Sequence, residues 1–88
     1  MPTIAWFYGI AIRMYFRDHP PPHFHAIYGE HEAIVSIETG TVVNGSLPKT
    51  AADLVARWTS RHRAQLIHNW HAARAGEPIE RIPGLDAD

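Results

Sequence analysis

The chain predicts an α+β fold: an antiparallel meander of four to five strands, one long C-terminal helix packed on one face, and an extended tail. Three observations lead there. Up to about residue 48, apolar and polar side chains alternate in short runs separated by Gly- and Pro-bearing turns. From 51 to 75, apolar residues recur at three- and four-residue steps with no Gly or Pro among them. Gly76 and Pro78 then end that pattern, and a single helix can cover only one face of a sheet. With 88 residues the chain reads as one domain, 1–88, with strands in about 3–48, the helix in about 51–75 and the tail in 76–88.

The elements follow in order. Residues 3–8 (TIAWFY) are β-branched and aromatic, and Gly9 punctuates them. In 10–17 (IAIRMYFR), Ile10, Ile12, Met14 and Phe16 share one face, and Ala11, Arg13, Tyr15 and Arg17 the other. Asp18 to Pro22 cannot be a central strand, and Pro20 to Pro22 favour an extended polyproline path. His23 to Tyr28 resume the alternation, with Phe24, Ala26 and Tyr28 opposite His23, His25 and Ile27. Residues 29–32 (GEHE) make a turn, and 33–38 (AIVSIE) a strand with Val35 and Ile37 inward and Ser36 and Glu38 outward. Thr39-Gly40 predicts a hairpin turn into 41–44 (TVVN). Thr50 is the expected N-cap of the helix, with Asp53 in a box-like position three residues on. Leu54, Val55, Trp58, His62, Leu66, Trp70 and Ala73 form its apolar stripe. The helix spans about 37 Å, enough to cross a small sheet. Ile79, Ile82 and Leu85 are the residues by which the tail can lie back on the core.

Composition narrows the function. There is no cysteine, so neither a disulfide nor a thiolate is available. The apolar N-terminal stretch lacks a basic n-region and a small-residue cleavage site, and no run approaches the roughly 18 apolar residues of a membrane span. The expected location is the cytoplasm. A net charge of −1 argues against nonspecific nucleic-acid binding. The charge is uneven: −2 over 1–48, +4 over 49–75 and −3 over 76–88. Either the acidic tail pairs with the helix, or the helix meets an acidic partner.

Chemistry concentrates in DHPPPHFHA, residues 18–26. His23 and His25, two apart on a strand, project to the same side roughly 6.5–7 Å apart. Neutral imidazoles so placed can share a zinc, nickel or copper ion, with Asp18 as the carboxylate ligand. His19, Glu38 and His62 are other sources of a third ligand. No cofactor is demanded by the sequence; a divalent metal is the candidate. The plainer reading is that Asp18 accepts backbone amides in the turn while prolines and histidines pack around it. Without metal, His23, His25, Arg13 and Tyr15 are the acid–base candidates of a small hydrolase or nuclease, a histidine moving the proton and the arginine holding a phosphate. As a binding surface the set is Asp18, His19, His23, His25, Arg13 and Arg17. All depend on the sheet face left bare by the helix, which would carry both imidazoles together with Arg13, Tyr15, Arg17, Ser36 and Glu38. The plain alternative for that face is solvation. On the helix, Trp58 and Trp70 read as core anchors, and His62 as a core histidine on the apolar stripe. Arg57, Arg61, Arg63, His68, His71 and Arg74 make its outer side basic. That side is either solvated or a docking surface for an acidic protein or RNA.

The chain resembles a family of short bacterial proteins known only as a domain of unknown function, number 4160. The residues that carry the resemblance are Met1-Pro2-Thr3-Ile4, Phe7, Gly9, the block Asp18-His19-Pro20-Pro21-Pro22-His23-Phe24-His25-Ala26, Gly45-Ser46-Leu47-Pro48, Trp58, His62-Arg63, Leu66 and Asn69-Trp70. Ala64 and Gln65 stand where relatives tend to have glutamates. The resemblance marks Asp18, His19, Pro21, Pro22, His23 and His25 and supplies no catalytic residue. It implies half of a toxin–antitoxin-like pair, acting through a small protein encoded by a neighbouring gene, with RNA as a second ligand.

Overall fold

A computed structural model describes residues 2–87; Met1, in the resemblance, and Asp88, in the acidic tail, lie outside the described residues. Five strands, β1 (Thr3–Phe7), β2 (Ile10–Arg13), β3 (His23–Tyr28), β4 (His31–Ser36) and β5 (Val42–Gly45), pair antiparallel in chain order. The helix α1 (Lys49–Arg74) packs on one face, and a 3-10 turn, Leu85–Ala87, closes the tail. The α+β meander read from the alternation is therefore the observed architecture.

The β1–β2 hairpin turns on Tyr8 (φ 50°) and Gly9 (φ 79°), a pair of left-handed residues that matches a tight two-residue turn to the sheet's twist. β2 is shorter than the alternation implies. Met14 is still buried, but Phe16 is 47% exposed and Arg17 turns left-handed (φ 59°). That turn brings the Arg17 amide to the Ala73 carbonyl at 3.0 Å, so a docking bond to the helix ends the strand. The three prolines do not run as polyproline, because the Pro20–Pro21 peptide is cis. β4 starts two residues earlier than the turn at 29–32 implied, because Gly29 and Glu30 alone make the turn and Tyr28 pairs with His31.

Inward side chains of the sheet meet the helix stripe. Trp58 is fully buried, its ring 5.2 Å from Phe7 and edge-on to Phe24 at 5.7 Å. The indole Nε1 donates to the Pro83 carbonyl at 2.8 Å, so the same residue anchors core and tail. The helix begins at Lys49 after Pro48 without a side-chain cap. Thr50 is thus inside the helix, and Asp53, rather than boxing the terminus, pairs with Lys49 at 2.9 Å one turn away. Backbone angles depart from helical at His62. At the other end the Gly76 amide donates to Ala73 and the Glu77 amide to Ala72, the paired bonds of a Schellman stop, which requires the left-handed Gly76 (φ 74°).

The tail is fastened rather than loose. Buried Asn69 holds Glu80 at both backbone groups: Nδ2 donates to its carbonyl (2.8 Å) and Oδ1 accepts its amide (3.1 Å). The Ile82 amide then donates to Ile4 at 2.7 Å, laying the tail along β1. A Cβ at Gly84 would fall 2.8 Å from the Trp6 carbonyl and from Phe7, so only glycine allows this approach. Truncating Trp58 to alanine removes both the core ring and the tail bond. It should cost about 3–5 kcal/mol, read as a loss of most or all of the urea unfolding transition.

Candidate metal centre

The Asp18 loop is set by the C-terminal end of α1. The Arg17 amide bonds to Ala73, and Arg74 Nη1 donates to the Asp18 carbonyl at 2.8 Å. The Arg17 guanidinium lies over Gly76 just past the helix, where the carbonyl end of the dipole favours a cation. Arg17 is thereby removed from the bare sheet face on which the alternation placed it: the left-handed turn sends its side chain to the helix end. Its part is to seat the loop.

So held, Asp18 gathers three histidines. Its Oδ1 accepts the His19 amide (2.9 Å) and lies 3.0 Å from His19 Nδ1; its Oδ2 lies 2.9 Å from His23 Nε2 and 3.7 Å from His25 Nε2. Burial pushes the Asp18 carboxyl up. The His19 amide, the hydrogen bond and charge of the His23 ring and the hydrogen bond of the His19 ring together outweigh it and leave the group below the ordinary carboxylate value.

The two strand histidines differ. His23 is not on bare sheet: it is 8% exposed, its ring 5.0 Å from that of Trp70. β3 begins at His23, at the sheet end where the last turns of the helix pass, so the covering helix reaches it. Its Nδ1 lies 2.8 Å from the Pro21 carbonyl, which can only accept, so Nδ1 carries a proton. In a neutral ring Nε2 would then offer a lone pair to the Asp18 carboxylate 2.9 Å away. Two acceptors face each other unless a proton or a metal cation stands there. His25 does keep to the open face, its ring edge-on to Tyr15 at 4.4 Å and its residue paired with Arg13 across β2–β3. Neither of its nitrogens makes a hydrogen bond: Nδ1 is buried and 3.5 Å from Glu32 Oε2, and Nε2 is 3.7 Å from Asp18.

One ligand atom from each of Asp18, His23 and His25 lies within 4.8 Å of the others. Two imidazole nitrogens and a carboxylate oxygen are a donor set for zinc, and the Pro21 carbonyl and Glu32 carboxylate stand behind the rings as orienting partners. Among the described residues the other proposed ligands are elsewhere. His19 is exposed with its ring on Asp18 Oδ1, Glu38 is exposed in the β4–β5 turn, and His62 sits on the helix with Nδ1 3.0 Å from Gln65. Cavities of about 290 and 260 Å³ open beside His23 and His25 respectively, meeting at Ile34 and Asn44.

Three further residues complete the surroundings of the cluster. Glu32 reads as a turn residue only if the turn spans 29–32; with Gly29-Glu30 as a two-residue turn it stands diagonal to His25 on one face. By its pattern Trp70 reads only as a core anchor, and Arg74 only as part of a basic helix face. No local signal ties either to residue 18, some fifty positions away.

The model of a domain of unknown function, DUF4160, matches residues 9–71, a span that includes the whole Asp18–His25 block. Neither the curated proteins nor the solved structures yield a match to the chain. No helix among the described residues is long and apolar enough to cross a membrane.

Because the folded Asp18 carboxyl titrates below its unfolded value, it adds stability at neutral pH. The contribution is complete above the unfolded pKa of about 3.9 and vanishes as pH falls through the folded one. In chelator-treated protein, urea melts should show stability dropping as pH is lowered through that region, and Asp18→Asn should flatten this acid limb.

Proposed function

This chain belongs to the DUF4160 family, and we propose that its working centre is a divalent-metal site formed by Asp18, His23 and His25. The observation that carries the reading is His25, a largely shielded imidazole beside a carboxylate and a second imidazole, with neither ring nitrogen hydrogen-bonded. An unpaired buried polar group is costly, and a shared cation satisfies all three side chains together. Held by these three side chains, a zinc ion would supply Lewis acidity and an acidified water, the chemistry a hydrolase requires.

The residues around the centre have matching tasks. His23 is held in one tautomer by Pro21 and turned by Trp70, so its Nε2 is presented to the cluster. Glu32 stands behind His25 Nδ1 and orients that ring. Arg13, across the strands from His25, places a cation where negative charge grows on a reacting oxygen, and Tyr15 walls the ring from water. His19, exposed and joined to Asp18, is placed to move a proton between the cluster and solvent.

A partner-protein reading has its own support. β5 is the outer strand of the sheet, with Val43 62% exposed and the cavity beside His23 running up to it. A strand of a partner added there would complete the walls of the same centre, as the toxin–antitoxin-like pairing implies.

Metal analysis and calorimetry decide the first reading. Wild-type protein should take up about one zinc per chain. His25→Ala and Asp18→Asn should lose it with unchanged circular dichroism, His19→Ala should keep it, and Glu32→Ala should weaken it about 10- to 100-fold. A folded wild type that binds no zinc, nickel or copper would rule the centre out. Capture of the neighbouring gene product that is indifferent to chelator would leave only the partner reading.

A further inference from the structure

An apolar path crosses the open sheet face away from Asp18, His23 and His25. His25 pairs with Ile34 of β4 and Ile34 with Asn44 of β5, so three outward residues form a row across the strands. Ile34 and Asn44 line both the cavity beside His23 and the one beside His25. Pro20, Pro21, Pro22 and Val43 complete the apolar wall of the first. Resting on the metal reading above, we propose that the substrate of this centre is an uncharged peptide. One apolar side chain fills the cavity lined by the prolines, Ile34 and Val43, and the neighbouring carbonyl meets the metal.

The first argument is the placement of Val43. β5 sets Val42, Val43 and Asn44 against only Val35 and Ile34 of β4. Such a bulge re-aims a side chain, and bulges gather next to working sites. Val42 packs against the core, whereas the extra residue, Val43, stands at the cavity and is 62% exposed. Isolated exposed apolar residues are ordinary on a surface, but this one continues a wall made by an outward isoleucine and three prolines. A Cβ at Gly45 would collide with the Glu32 carbonyl, so a left-handed glycine is what lets β5 close on β4 directly after the bulge.

The second argument is the polar inventory. Asn44 Oδ1 accepts the Gly45 amide at 2.7 Å, so what this side chain offers a ligand is N–H, the donor that a carbonyl needs. No Lys or Arg is among the residues lining the two cavities, and Glu32 adds a negative charge. A nucleic-acid strand carries a charge at every nucleotide and needs cations along its path; a peptide backbone carries none. Arg13 stands on the other side of His25, in β2, where carbonyl addition creates a single oxyanion. Hydrolysis joins the oxygen of water to the carbonyl carbon and breaks the C–N bond. One proton of that water passes to the departing nitrogen, and the products are a carboxylic acid and an amine.

Calorimetry on zinc-loaded protein tests the assignment, with N-acetyl-leucine hydroxamate and N-acetyl-glycine hydroxamate as probes and zinc content read on the same sample. Both probes carry the same metal-binding group, so their difference reports the side-chain cavity alone. Wild-type protein should prefer the leucine compound by at least about tenfold. Val43→Ser should keep its zinc and its circular dichroism while cutting that preference to about threefold or less. Asn44→Asp keeps an acceptor for the Gly45 amide and loses the donors, so it should weaken both compounds by about tenfold. Three results would each overturn the proposal and leave the metal centre standing: equal affinity for the two compounds with zinc bound, an unchanged preference in Val43→Ser, or tighter binding of the RNA dinucleotide uridylyl-adenosine than of the leucine compound. A folded chain that takes up no metal overturns both.

Discussion

The bond from the Arg17 amide to the Ala73 carbonyl organises one end of this protein. It joins the chain between two strands to the last helical turn, more than fifty residues later. Three things depend on it. It ends β2 at Arg13, it holds the following aspartate where Arg74 can clasp its carbonyl, and it draws the first residue of β3 under Trp70. A left-handed residue is the condition for it, and the electron-rich end of the helix, faced by a guanidinium, is what makes the arrangement favourable. The cluster of imidazoles is thus a property of helix docking more than of the strand that carries them.

The fold was legible because its signals are periodic and local. Alternation in 10–14 and 23–28 located two central strands, and the three-four stripe through Trp58 and Leu66 located the helix face. Chain order sufficed for the topology, since consecutive short strands with tight turns pair as neighbours. Boundaries were less legible. The alternation at 14–17 persists in sequence, yet Phe16 and Arg17 leave the sheet, because a tertiary hydrogen bond outweighs a strand pattern of four residues. The helix start was shifted by a cap residue, Thr50, that the structure does not use.

The site was legible in its members and not in its environment. Asp18, His23 and His25 stand close together in the chain, so their grouping could be argued from strand geometry. Strand geometry alone puts both rings on open sheet, and only His25 is there. What buries His23, what fixes its tautomer and what stands behind His25 are contacts made by a proline carbonyl, a helix indole and a glutamate from the next strand. These depend on exact register and on the path of the helix, which patterns of polarity do not encode.

The fastening of the tail has a consequence for self-association. Asn69, Trp58 and Ile82 lay residues 80–84 along the first strand, while among the described residues nothing covers the fifth. A sheet with one guarded rim and one open rim can add a copy of itself only once: two molecules meeting rim to rim about a twofold axis each present the guarded side outward. Growth into a filament is closed off by the short stretch 80–84 of the tail.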